Sequence, residues 1–331
     1  MVKALRWGII GGAGIAQGAV MPAIQQSQYG VLAAIASRNI DKSKQLADQF
    51  QIERAYDSYE ALLADETIDA VYIPLPNHLH REWTLKAAAA GKHILCEKPL
   101  ALTEAEAQEM VTACQAAGVH LEEAFMYRHH PRMEQIRKML AAGEIGQLRG
   151  IHAAFTFNDA ANTGNIRFRQ EWGGGSLYDV GCYPLSAARW FLEAEPEAVT
   201  VHAMFSPEHD NVDMMASGLV EFSDGIALTF DCGMWADHRQ HIEILGTDGR
   251  IVLPLAFTAG GNKADFLLIK NGEETVIVPE AVNPYVNQVD HFARAVAGEH
   301  VLPIAPDDPV FNMRLLEACL RSAKEKRRVE L

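Results

Sequence analysis

The sequence predicts an α/β protein of two domains. Residues 1–124 read as a doubly wound parallel sheet, and 125–331 as a second α/β domain with a large, mostly antiparallel, open-faced sheet. Three observations carry this. Strand-like and helix-like segments alternate through the first 125 residues, the pattern of parallel strands joined by crossover helices. A glycine cluster, Gly11-Gly12-Ala13-Gly14, follows directly on the first apolar run. After residue 125 strand-like runs follow one another, separated by Ser-Asp-Gly, Thr-Asp-Gly and Lys-Asn-Gly, where hairpin turns need residues that accept positive φ. Helices remain for only one face of that second sheet.

Taken in order, 4–10 is an apolar strand that runs into the glycines, and 31–37 is a second strand. The amphipathic helix that follows has Asp41 as its expected N-cap. "YEALLAD" is a short helix, 69–76 a strand, and "REWTLKAAAAG" a helix ending at Gly91. "KHILCE" is the next strand. A helix over 103–118 opens with Thr103 and Glu106 at capping-box spacing, and 119–125 is a further strand. Pro22 falls inside the first helix and should kink or restart it. In the second half "RMEQIRKMLAAGEIG" is a helix and "QLRGIHAAFTFN" a strand. Four strand-rich runs come next, and helices over 284–298 and 309–326 close the chain.

Composition narrows the function classes. Hydrophobic residues at 49% and charged residues at 22% are those of an ordinary globular protein. No apolar run reaches 18 residues, so no membrane span is expected. The 43 acidic and 29 basic residues leave a net charge of −14, which argues against a nucleic-acid partner, since that needs a basic patch. Five cysteines form no CxxC pair and the first residues lack a signal-peptide layout, so reduced thiols and a cytoplasmic location are expected. His129-His130 and the His238-x-x-His241 pair have no third ligand at metal spacing; no metal is expected.

The glycine cluster resembles the dinucleotide fingerprint G-x-G-x-x-G/A of Rossmann domains, aligned as Gly11, Gly12, Ala13, Gly14, Ile15 and Ala16, with Ala13 in place of the middle glycine. Such a turn brings backbone N–H groups and a helix start to a pyrophosphate. The second strand ends in Ser37-Arg38, where NAD enzymes offer an acidic residue to the ribose. Arg38 would hold a 2′-phosphate bidentately with Ser37 as second donor, which puts NADP ahead of NAD.

Two further stretches bear on chemistry. Glu97-Lys98-Pro99 ends the fifth strand, on the rim where open parallel sheets bind ligands; the Lys98-Pro99 bond is cis or trans. "GGGSLYDVGCYP" sets Asp179 and Tyr183 four apart, on one face if helical. Pro184 suits the first turn of the following helix. Tyr183 would then stand at a helix N-terminus, which together with Lys98 favours the phenolate and makes the phenol a usable general acid/base. By itself Tyr183 also reads as a packing tyrosine.

"CEKPLAL", "FMYRHHP", "GGGSLYDVGCYP" and "NPYVNQVDHFARAV" resemble the glucose–fructose oxidoreductase, inositol dehydrogenase and rhizopine-catabolism (Gfo/Idh/MocA) family over nearly the whole chain. The nearest branch holds NADP-dependent D-xylose dehydrogenases, trans-dihydrodiol dehydrogenases and sugar 3-ketoreductases. The resemblance implies that Lys98 and Tyr183 are catalytic with Asp179 beside them. Gly11 to Ala16, Ser37, Arg38, Leu75, Pro76, Asn77, His80, Glu97 and Lys98 would line the cofactor. Tyr127, Arg167 and Tyr183 would meet a sugar-like substrate, with His129, Asn158, Asp159 and Asn162 nearby if their loops fold inward. It also implies that the second domain binds substrate and forms a homodimer or higher homo-oligomer through its sheet. Two alternatives stay open: a non-catalytic dinucleotide-sensing regulator, and a trans-diol dehydrogenase.

Overall fold

The computed structural model of the protein describes residues 3–258 and 263–331. In the first half the alternating pattern becomes six strands: β1 (Leu5–Ile10), β2 (Gly30–Ala36), β3 (Arg54–Tyr56), β4 (Ala70–Ile73), β5 (His93–Cys96) and β6 (Leu121–Glu123). They lie in the order β3-β2-β1-β4-β5-β6, every pairing parallel. Strand order reverses between β1 and β4, the place where such sheets open a crevice at their carboxyl ends. Helices cover both faces. Leu5, Trp7 and Ile9 alternate into one core with Met21 of α1 (Met21–Gln26) and Leu46 of α2 (Ile40–Phe50). On the other face Gly8 lies against Leu62 of α3 (Tyr59–Leu63), so close that a Cβ there would stand 2.6 Å from it.

Local chemistry explains the element ends. α4 spans His80–Ala89 and α5 spans Glu104–Ala117. Thr103 caps α5 by accepting from Glu106 N, and the Glu106 carboxylate accepts in return from Leu102 N (3.0 Å). The cap of α2 is Asn39 rather than Asp41. Asn39 is extended and accepts from Asp41 N (2.9 Å), while Asp41 is already helical, in the first turn where a carboxylate suits the helix dipole. Pro22 does restart its helix: a π-helical turn over Ala16–Val20 gives way to α1 with Pro22 in the first turn. β3, three residues long, is too short to show periodicity and escapes the sequence reading.

The chain divides into two compact units. One contains the residues up to His129 together with Asn283–Val310; the other contains His130–Val282 and Phe311–Leu331. The boundary expected after residue 124 thus falls slightly later, and a late segment rejoins the first unit. The cause is α8 (Pro284–Val296), whose Val289, Phe292 and Ala293 enter the Trp7 core, with the Trp7 and Phe292 rings 5.3 Å apart. Burying Val289 and Phe292 stabilises by roughly 1.5–3 kcal/mol each. Polar contacts also tie α8 to this unit: Asn287 Nδ2 donates to His129 O (3.1 Å), Gln288 Nε2 donates to Glu122 Oε1 (3.3 Å), and His129 Nδ1 meets His291 Nδ1 at 3.0 Å.

The second unit is built on nine strands: β7 (Leu148–Asn158), β8 (Ala198–Ser206), β9 (Val212–Glu221), β10 (Ala227–Gly233), β11 (Trp235–Gly246), β12 (Arg250–Leu253), β13 (Phe266–Lys270), β14 (Glu273–Ile277) and β15 (Val329–Glu330). Their order is β14-β13-β12-β11-β7-β10-β9-β8-β15, antiparallel except for the parallel β7–β10 pair. Two of the three expected turns use positive φ, at Asp224-Gly225 and Asn271-Gly272; Asp248-Gly249 turns without it. Register assigns the two faces. Val201, Val220, Phe230, Ile151, Ile242 and Ile251 are buried on one. The other presents Met204, Leu219, Leu245 and Val276, which are 37–58% exposed. α6 (Pro131–Ala141), α7 (Cys182–Leu192) and α9 (Asp308–Glu325) complete the helices of this half.

Candidate active site

In the first unit β1 runs into the glycine turn. Gly11 sits at φ 104°, a conformation that favours glycine, and a Cβ on it would press on Leu75 Cδ2 at 3.0 Å. The first helical bond, Gln17 N to Ala13 O (3.2 Å), leaves the N–H groups of Gly14, Ile15 and Ala16 ahead of it. Nothing lies within 4 Å of where a Gly14 Cβ would be, and Ile15 is exposed. Leading amides beside open space fit a dinucleotide pyrophosphate. Gln17 Nε2 secures the turn by donating to Gly12 O (3.0 Å).

At the end of β2, Ser37 is buried and gives its hydroxyl proton to Asn39 O (2.6 Å), so it shapes the turn. Arg38 is exposed and, among the described residues, makes no ion pair. A cation missed at the sequence level joins it. The Lys42 ammonium lies beside Gly12, 3.6 Å from where a Cβ would stand. Its signal was present, a lysine in the first turn of the helix that follows Arg38.

The ends of β4 and β5 are braced together. Fully buried His80 places Nε2 at 2.7 Å from Leu75 O and Nδ1 at 3.0 Å from Pro99 O. Burial pushes its pKa down to about 4, so the neutral ring, with a single N–H, donates to one of these two carbonyls. Leu75, Pro76 and Asn77 form the half-buried lip of the first loop. Glu97 accepts from Tyr72 Oη (2.6 Å) and from Lys98 N (3.3 Å). Lys98 follows, half-buried, with a cis bond to Pro99. The strand that ends in a carboxylate, an ammonium and a proline therefore holds its lysine by a tyrosine-anchored glutamate and a histidine-tied turn.

Two expected substrate groups lie elsewhere in this unit. Tyr127 is 1% exposed and its hydroxyl accepts from Arg128 Nε (3.3 Å), while His129 is 2% exposed against Glu122. Both are core residues, because the short helical turn that carries them packs under α8.

In the second unit the triple glycine makes a sharp entry to a helix. Gly175 has φ 117°, and a Cβ there would run into Asp213 Oδ1. The helix begins with a π-helical turn, Leu177–Gly181, continuous with α7, and Asp179 N already bonds Gly175 O (3.0 Å). This corrects one expectation: the helix N-terminus is at Ser176–Leu177, more than a turn before Tyr183, and a helix dipole fades within its first turn. Asp213 occupies that end instead, its Oδ2 accepting from Ser176 Oγ and Leu177 N at 2.7 Å each. It is fully enclosed, and burial pushes its pKa up to about 6. Nothing in the sequence singles out Asp213 except that it is acidic within an apolar strand.

Asp179 and Arg167 are brought together, Nε to Oδ2 at 2.7 Å, and Asp179 holds Arg167 above its ordinary pKa, with Asp159 and Tyr183 adding to the effect. Asn158, Asp159 and Asn162 sit on the same segment, where Asp159 accepts from Asn165 Nδ2 (2.9 Å). Tyr183 is 6% exposed, with its ring packed against Phe155 and Phe257 at 5.2 and 5.3 Å.

A parallel-sheet unit with a phosphate-ready turn, and a second unit with a nearly buried tyrosine beside a guanidinium–carboxylate pair, are those of a dinucleotide-dependent oxidoreductase. Comparison with known proteins narrows the class. Residues 5–125 match the oxidoreductase family described by its NAD-binding Rossmann fold, and residues 133–252 match the GFO/IDH/MocA C-terminal domain. The chain belongs to the Gfo/Idh/MocA family. It is 37% identical over 329 residues to the D-xylose 1-dehydrogenase (NADP(+)) 2 of Haloferax volcanii, covering 99% of this chain and 100% of that one. It is 30% identical to the trans-1,2-dihydrobenzene-1,2-diol dehydrogenase of Mus musculus, covering 97% and 96%. A solved 3-ketoreductase from Actinomadura kijaniata, complexed with NADP and TDP-benzene, superposes with TM-score 0.90 at 32% identity over 97% of this chain and 98% of that one.

Proposed function

We propose that this protein is an NADP-dependent dehydrogenase or reductase that interconverts a secondary alcohol and a carbonyl on a sugar-like substrate. The observation that carries this is Tyr183: a phenol in a glycine-led helix, its ring fixed by two phenylalanines and its neighbourhood set by the Arg167–Asp179 pair. Bound nicotinamide would supply or accept the hydride. Tyr183 gives a proton to the carbonyl oxygen as the alcohol forms and takes it back in the reverse direction. Lys98 offers an ammonium to the reacting oxygen and favours the charge that develops there. Asp179 anchors Arg167, which with Asn158, Asp159 and Asn162 supplies groups that give and take hydrogen bonds, as sugar hydroxyls require.

The cofactor reading rests on cations. Arg38 and Lys42 frame the place of a 2′-phosphate, and an acidic residue for NAD is missing from the end of β2. The D-xylose dehydrogenase relative and the NADP-bound ketoreductase agree with it. The open face of the nine-stranded sheet supports a homodimer, and five free, buried cysteines accord with a cytoplasmic home.

A panel of sugars, ketosugars and cyclic diols, assayed with NADP+ and NADPH, tests the proposal. Turnover of a sugar or ketosugar is expected, and Tyr183→Phe should keep cofactor affinity while losing most of the rate across the accessible pH range. Reduction of α-keto acids alone, or normal turnover by Tyr183→Phe, would defeat the reading. Turnover confined to cyclic diols would select the trans-diol alternative, and nucleotide binding with no turnover the regulator.

A further inference from the structure

The tyrosine cage continues outward into a set of buried contacts. Phe155, on β7, and Phe257 stack on each other with centroids 5.4 Å apart and planes 8° apart, and both meet the Tyr183 ring at an angle. Phe155 comes from a central strand and cannot wander. Phe257 belongs to the turn segment that follows β12.

Two buried side chains hold the backbone of that segment. Gln240, on β11 and 3% exposed, accepts from Phe257 N (3.0 Å) and Thr258 N (2.8 Å) through Oε1, and its amide also donates to Thr258 Oγ1. Arg132, on α6 and 1% exposed, donates through one Nη to Leu255 O and Ala256 O (2.6 Å each) and through the other to Ala264 O (3.2 Å). Each residue from Leu255 to Thr258 thus has its backbone held by a side chain from elsewhere in the unit. An arginine this deep, bonded to carbonyls, is costly to keep. A core that needed only filling would use an apolar residue.

We propose that Phe155 and Phe257 are positioning residues for Tyr183, and that Arg132 and Gln240 act through Phe257 by holding the segment that carries it. The inference rests on the reading of Tyr183 as proton donor. A phenol on a two-torsion side chain must present its oxygen within hydrogen-bond reach of the reacting atom, and a misplacement of about 1 Å costs on the order of 10²-fold in rate. Two mutually stacked rings packed at an angle against the phenol limit that freedom.

The test uses the purified full-length protein and the sugar of the panel it turns over best. Phe257→Ala should lower kcat by about 10- to 100-fold, with the Kd for NADPH within about two-fold of native. Gln240→Met should lower kcat in the same direction and Gln240→Glu, which keeps the acceptor for both amides, should restore it. In the Tyr183→Phe background, Phe257→Ala should cost nothing further, since residues that act as a unit are non-additive. Native kcat in folded Phe257→Ala would overturn the proposal. So would equal rates for Gln240→Met and Gln240→Glu, a comparison that stands even if Phe257→Ala does not fold. A full further loss in the Tyr183→Phe background would make the cage merely structural. Normal turnover by Tyr183→Phe would instead remove the proton-donor reading on which the inference stands.

Discussion

In the proposed cofactor reading, Arg38 and Lys42 divide a role that sequence pattern assigns to one. Arg38 is exposed at the end of β2, and Lys42 reaches the glycine turn from the first turn of α2. One charge-assisted contact contributes about 1.5–3 kcal/mol, so Arg38→Ala should weaken NADPH by roughly 10- to 100-fold and NADH hardly at all. Lys42→Ala should act in the same direction. Fluorescence titration of both cofactors checks this, and equal native affinity for NADPH and NADH would refute the assignment. Lys98→Met should lower kcat by roughly 10²-fold with NADPH binding retained; near-native turnover in steady-state assays would remove Lys98 from the chemistry. Ser37, Tyr127 and His129 each bond a neighbour inside the fold.

The helix that bears Asp179 and Tyr183 depends on an element far away in sequence. Asp213 reaches from β9 to the Ser176–Leu177 end. Its folded pKa of about 6 lies above the ordinary 3.8, so the folded state holds the proton more tightly than the unfolded chain. Stability from this group is therefore fully present below about pH 4 and lost as pH rises through about 6. At 1.36 kcal/mol per unit the loss is on the order of 3 kcal/mol. Asp213→Asn keeps an acceptor for Leu177 N and Ser176 Oγ and cannot ionise. Urea midpoints between pH 4 and 7 should fall for the native protein relative to the Asn variant, and parallel curves for the two would contradict the account.

For the whole molecule, the proposed homodimer would form through the open sheet face. Thr200 and Leu219 are cross-strand partners, as are Met204 and Met215, and the same face continues through Leu245 to Val276. Exposed apolar residues gathered on one broad sheet favour association with a second copy by a two-fold axis. Light scattering at micromolar concentration should give twice the chain mass, and Leu219→Arg with Leu245→Arg should halve it while leaving the circular dichroism unchanged. A native monomer would refute the dimer. Among the described residues no helix is long and apolar enough to cross a membrane.

The parallel half was legible in sequence because its information is local: a glycine turn after an apolar strand, helix caps, and alternation of strand and helix. The hairpins of the second half were legible through Asp-Gly and Asn-Gly for the same reason. Lys98 and Tyr183 stood out by their position after a strand end and a glycine run. What only the tertiary structure decided is non-local. The return of α8 to the first unit, the Asp213 cap, the Phe155–Phe257 cage and the Arg132 and Gln240 bonds that hold it all join residues tens to hundreds of positions apart. No spacing rule reaches across such distances. Chain folding chooses those partners by burial, since an apolar ring or a polar group taken from water must find its complement wherever the packed core provides one.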